Sequence, residues 1–135
     1  NIKLEDTATG MKTFAYILKL IENGFLNERT LLLIDEPEAH LHPKWIFEFA
    51  HLLVLLNKEL DVKVMVASHN PDMVAAIQKV SQVEDVIDRT HFYQAYPQDE
   101  GYQFIYRDLG GSVNEIFRSF NIATSRIQDY GEPCE

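Results

Sequence analysis

The sequence predicts an α/β lobe with a short, mostly parallel sheet flanked by helices, followed by a β-hairpin and a further helix. Three observations lead there. Over residues 8–80, segments with apolar residues at helical spacing alternate with two short continuous apolar runs, the pattern of helices packed on parallel strands. Each of those runs ends in polar residues suited to chemistry, Asp35-Glu36 in one and Ser68-His69 in the other. After Ser81 the chain turns polar and acidic, and then shows two aromatic-rich runs around a Pro-Gln-Asp-Glu-Gly turn.

Taken in order, residues 1–7 read as an entry loop. Met11, Phe14, Ala15, Leu18 and Ile21 predict a helix from about Ala8 to Asn23, stopped by Gly24. Thr30 to Ile34 predicts a strand buried on both faces. Pro43 suits a first helical turn. Trp45, Phe49, Leu52, Leu53 and Leu56 then carry a helix to about Leu60. Val62 to Ala67 predicts a second buried strand, and Pro71 opens a helix to about Lys79. Thr90–Tyr96 and Tyr102–Asp108 predict a hairpin. Ser112 is placed to cap a helix over Val113–Phe120, with Ile116, Phe117 and Phe120 inward. The expected division is a lobe over 1–81, a hairpin-and-helix appendage over 82–120, and a tail over 121–135.

The 135 residues suit one small domain, and 46% hydrophobic with 24% charged residues is ordinary for a globular chain. The net charge of -9 argues against a broad nucleic-acid surface on this chain, because duplex binding needs Lys and Arg against phosphates. One cysteine, Cys134, permits no internal disulfide and suggests a reducing cytoplasm. No apolar stretch is long enough to span a membrane, and no signal peptide is visible. The chain starts at Asn1 rather than Met, so a fragment of a longer protein is expected.

Leu31-Leu32-Leu33-Ile34-Asp35-Glu36-Pro37 delivers two carboxylates to the C-terminal end of a strand, where open α/β sheets bind ligands. A carboxylate there can hold Mg²⁺, often through water. A second can orient or deprotonate a water that attacks a phosphate. The plainer alternative is a solvated turn punctuated by Asp-Glu-Pro.

The continuation Pro37-Glu38-Ala39-His40-Leu41-His42-Pro43 resembles the Walker B and D-loop region of ABC-type ATPases, with their P-loop NTPase-like fold, and is similar to the branch of SMC, RecF and OLD-family proteins. The resemblance implies Asp35 as the Mg²⁺-side acid, Glu36 as the catalytic base, and Ala39 to His42 as a loop communicating across a nucleotide-sandwiching dimer. Val64-Met65-Val66-Ala67-Ser68-His69-Asn70-Pro71 matches the next strand of that family, which places His69 as the switch histidine and Ser68 beside it at the nucleotide. Imidazole suits that role because it can donate a hydrogen bond near neutral pH. Asp6-Thr7-Ala8-Thr9-Gly10-Met11-Lys12 looks like a diverged signature loop, so Thr9 and Gly10 are expected to touch the partner subunit's nucleotide. It departs from the family pattern: Ala8 falls where the usual Ser lies and Thr9 replaces the first glycine. The plainer alternative is a Thr cap on a helix.

No G-x-x-x-x-G-K-[S/T] phosphate loop is present in the sequence. The resemblance covers about residues 6–80, the C-terminal half of a nucleotide-binding domain. The expected partners are therefore a missing N-terminal lobe and a second copy bound through ATP, with DNA reached only through the full-length protein. Alone, the chain is expected to hydrolyse little ATP; the resemblance leaves the process driven by hydrolysis open among DNA repair, phage defence, a toxin system and a transport-related role, with a transporter subunit not favoured. Alternatives are a non-enzymatic dimerisation or interaction module derived from such an ATPase, and a metal-dependent hydrolase using His40 and His42 with the nearby acids. A helicase acid box is rejected, because Pro37-Glu38 separates Asp35-Glu36 from Ala39-His40. The aromatic residues of 90–120 fit a half-buried strand pair better than a base-stacking platform.

Overall fold

The computed structural model describes residues 9–39, 41–98 and 103–128, with the backbone alone for 9–11 and 122–128. The chain forms two compact units, residues 1–86 and 87–135. The first contains helix α1 (Thr9–Glu22), strand β1 (Leu31–Asp35), helix α2 (Ile46–Leu60), strand β2 (Lys63–Ala67) and helix α3 (Pro71–Val83). Strands β1 and β2 pair in parallel, Leu31 opposite Lys63 through Asp35 opposite Ala67. The helical crossover α2 joins them, as parallel strands require.

The core gathers on one face of this sheet. Leu32, Ile34, Val64 and Val66 point toward a cluster of Ile17 from α1, Ile46, Phe49, Leu53 and Leu56 from α2, and Met73 and Ala76 from α3. Phe49 is fully buried and meets Phe14 edge-on, with ring centroids 5.0 Å apart. Side chains alternate along a strand, so Leu31, Leu33 and Met65 take the opposite face. There they are 59%, 64% and 63% exposed. This corrects the expectation of strands buried on both faces: the packed helices cover one side only.

Local chemistry sets the element ends. Helix α2 begins at Ile46, after a 3-10 turn over Pro43–Trp45 in which His42 Nδ1 accepts the Lys44 amide. It ends at Asp61 in the left-handed region, φ 53°, where Asn57 Nδ2 donates to the Val62 carbonyl at the start of β2. Helix α3 is capped by Asn70, whose Oδ1 accepts the Asp72 and Met73 amides at 2.8 and 3.2 Å. It runs on past Lys79 to Val83, because Val80 is buried against Val54 and Val86. Helix α1 differs in its buried face. Among its described side chains Ile17 is buried and Leu18 is 55% exposed, because the apolar face is broad enough to hold both and the packing against the core selects its Ile17 side.

The second unit pairs β3 (Tyr93–Pro97) antiparallel with β4 (Phe104–Asp108), the expected hairpin; its connecting residues 99–102 lie outside the described ones. Gly110, at φ +57°, turns the chain after β4 and donates its amide to Asp108 Oδ1 at 2.8 Å. Helix α4 covers Asn114–Gln128, well past the expected stop at Phe120. The spacing of Ile116, Phe120, Ala123 and Ile127 continues a helical stripe that the polar residues between them obscure. Among the described residues no helix is long and apolar enough to cross a membrane.

Candidate active site

The two parallel strands end side by side, and their last residues, Asp35 and Ala67, are register partners. One more ladder bond follows, from the Glu36 amide to the Ala67 carbonyl at 2.8 Å. Beyond it β1 enters the 36–42 loop and β2 the 68–70 loop. Among the described residues, every sequence-predicted chemical residue of the first unit except Thr9 and Gly10 lies on these adjoining loops or at the strand end that feeds them.

Glu36 takes φ +44°, a left-handed conformation that a residue with a Cβ adopts at a cost of order 1–3 kcal/mol. The turn after it is held by the Ala39 amide donating to the Glu36 carbonyl at 3.0 Å and the Leu41 amide donating to the Glu38 carbonyl at 2.9 Å. Pro37 is buried beneath. This backbone turns the Glu36 carboxylate toward the neighbouring strand, where His69 Nδ1 donates to Oε1 at 2.8 Å. Both side chains remain open to solvent, 48% for Glu36 and 76% for His69. The contact leaves Glu36 Oε2 and His69 Nε2 for a ligand or a water.

Asp35 is exposed and alternates onto the uncovered face with Leu31 and Leu33. Mg²⁺ takes few protein ligands and keeps several waters, so an exposed carboxylate at a strand end fits it. Among the described residues no group of three His, Cys, Asp or Glu side chains is placed to hold a metal ion. His40 and residues 1–8 lie outside the described residues, so the Ala39–His42 loop is seen only in part. Thr9 and Gly10 stand at the start of α1 as described, and the residues expected before them in the signature-like loop lie outside the described ones.

Ser68 does something the sequence reading did not anticipate. Its hydroxyl donates to Glu38 Oε1 at 2.6 Å and accepts the Asn70 amide at 3.1 Å. Glu38, treated in the sequence only as a neighbour in the metal-site alternative, is 7% exposed. Among the described residues its Oε2 has no hydrogen-bond partner. A buried acceptor without a donor costs about 1–3 kcal/mol. The only hint in the sequence was an acid placed directly after a proline in a turn.

A family model described as "AAA domain, putative AbiEii toxin, Type IV TA system" matches residues 4–75, more than half of the chain. The chain belongs to this AAA domain family. The matched span contains every element that builds the site, from α1 through the start of α3. Among curated proteins, the energy-coupling factor transporter ATP-binding protein EcfA3 of Clostridium perfringens is 35% identical over 72 residues, 53% of this chain and 25% of that protein. The EcfA2 protein of the same species is 40% identical over 47 residues, 35% of this chain and 16% of that protein. The AAA domain chain thus aligns with a quarter or less of the length of these relatives. It is part of an ABC- and AAA-type ATPase domain, a family that binds ATP and Mg²⁺.

Proposed function

We propose that this chain is the catalytic-carboxylate lobe of an ATPase that hydrolyses ATP at a dimer interface. The observation that carries the reading is the 2.8 Å pair of Glu36 and His69, presented at the C-terminal edge of two parallel strands beside an exposed Asp35. In this reading Asp35 holds the Mg²⁺ side of the nucleotide. Bound Mg²⁺ supplies charge neutralisation at the phosphates. Glu36, oriented by His69, takes a proton from water at Oε2, and His69 presents its second nitrogen toward the terminal phosphate. Ser68 lies beside the nucleotide, while Thr9 and Gly10 approach the nucleotide of a second copy.

The phosphate loop absent from this sequence would come from an N-terminal lobe of the same protein. The relatives named as ATP-binding proteins, several times longer than the matched segment, support that arrangement. The uncovered sheet face bearing Leu31, Leu33 and Met65 is where we seat that lobe, since a parallel sheet needs cover on both faces. The Leu41-His42-Pro43 turn favours work in DNA repair or phage defence, with DNA reached through other parts of the protein. The single cysteine suits a cytoplasmic setting.

The test is Mg²⁺-dependent ATP turnover by the complete protein, the 135-residue chain, and the complete protein carrying Glu36→Gln. The complete protein is expected to turn over ATP and the chain alone not. Glu36→Gln is expected to lose on the order of 10²-fold or more, the usual share of a general base. Silence from the complete wild-type protein would favour an interaction module descended from such an ATPase.

A further inference from the structure

We propose that Glu38 is a positioning residue, whose hydrogen bond to Ser68 holds the histidine loop against the carboxylate loop so that His69 meets Glu36. The proposal rests on the ATPase reading above and adds to it a residue that reading does not use.

Past the bond from the Glu36 amide to the Ala67 carbonyl, no further backbone bond among the described residues joins the two loops. Two side-chain contacts take over. The Glu36–His69 contact lies in solvent, and exposed ion pairs are weak constraints because both side chains keep rotamer freedom and water competes. The Glu38–Ser68 contact is of another kind. It is short, 2.6 Å, it involves a carboxylate, and the carboxylate is buried. The same Ser68 hydroxyl accepts the Asn70 amide, and Asn70 in turn caps α3. His69 is therefore strung between two residues that are tied, on one side to Glu38 and on the other to the first turn of a packed helix.

Burial alone does not account for a glutamate here. An apolar side chain would fill the space without leaving an oxygen unpartnered, as Glu38 Oε2 is among the described residues. What Glu38 supplies that an apolar residue cannot is an acceptor for Ser68, carried on the same turn that sets the backbone of Glu36.

The experiment measures steady-state ATP turnover by the complete protein in four variants: Glu38→Ala, Ser68→Ala, both together, and Glu38→Gln. Glu38→Ala and Ser68→Ala are each expected to lower kcat about 10- to 100-fold, the range seen when a supporting hydrogen bond behind a functional group is removed. KM for ATP stays within about 2-fold in Glu38→Ala, because Glu38 is buried and reaches the site only through Ser68. The double variant is expected to be no slower than Ser68→Ala, since both singles remove the Glu38–Ser68 bond and Ser68→Ala also removes the acceptor of the Asn70 amide. Glu38→Gln, which keeps an acceptor for Ser68, retains most of the activity. If Glu38→Ala fails to fold, Ser68→Ala reads the same bond, because it removes only one hydroxyl. Unchanged kcat in Ser68→Ala, or effects of the two alanines that multiply, would overturn the proposal. An inactive wild-type protein would instead remove the ATPase reading itself. Active wild type, inactive Glu36→Gln and fully active Glu38→Ala would sink the positioning role alone.

Discussion

Phe49 shows how much one side chain carries in this small unit. It is fully buried, it meets Phe14 edge-on, and it sits in the cluster that joins all three helices to the sheet. Phe49→Ala should destabilise the first unit by about 3–5 kcal/mol, through lost transfer energy and the cavity left behind. Urea unfolding followed by circular dichroism measures it, and a loss below ~1 kcal/mol would mean the site collapses around the gap. The placement of Asp35, Glu36 and His69 at the ends of the paired strands was legible in the sequence because each stands at or just after the end of an apolar run. The bond between Glu38 and Ser68 was not legible, since it joins residues 30 apart whose proximity exists only once β1 and β2 are in register. The left-handed backbone at Glu36 was equally hidden, because no glycine or asparagine advertises it.

At the scale of elements, α2 and α3 are fastened to each other by charge as well as by packing. Lys58 on α2 donates to Glu84, just after α3, at 2.8 Å, and His51 on α2 approaches the same carboxylate at 3.5 Å. The hydrogen bond to Glu84 raises the Lys58 pKa above its ordinary value. The hydrogen bond from Lys58 lowers that of Glu84. A lowered carboxylate contributes stability above its unfolded value, about 4.3, and loses it as pH falls through the lower folded value. A raised lysine contributes stability below its unfolded value, about 10.4, and loses it as pH rises through the higher folded value. Lys58→Met should therefore lower the unfolding midpoint between those limits and converge with the wild type at both extremes. Denaturation midpoints across the pH range read this directly, and a constant difference at every pH would rule out the charge link. Helix α4 illustrates how an element's extent escapes sequence reading: Asn121, Thr124 and Ser125 look like linker, yet Ile116, Phe120, Ala123 and Ile127 keep helical spacing.

At the scale of the molecule, the first unit is a half-covered sheet. Leu31, Leu33 and Met65 lie on the side the helices leave open. Leu33→Glu should change the stability of the 135-residue chain by no more than ~0.5 kcal/mol, as for other exposed positions. In the complete protein the same substitution should lower the melting temperature and abolish turnover, because it buries a charge under the lobe we propose to seat there. Thermal melts of both forms decide the matter, and an unaltered complete protein would show that the face stays open there.

The sequence by itself determined the α/β alternation, the carboxylate pair, the histidine and the missing phosphate loop. All of these are written in residue type and in spacing along the chain. Only the tertiary structure decided which face of α1 and of the sheet is buried, that Glu36 bends through a left-handed turn to His69, and that Glu38 is bonded to Ser68. Periodicity states that a face exists without saying what meets it. Contacts between residues distant in sequence depend on strand register and on the loops beyond it, which hydrophobic burial settles for the unit as a whole.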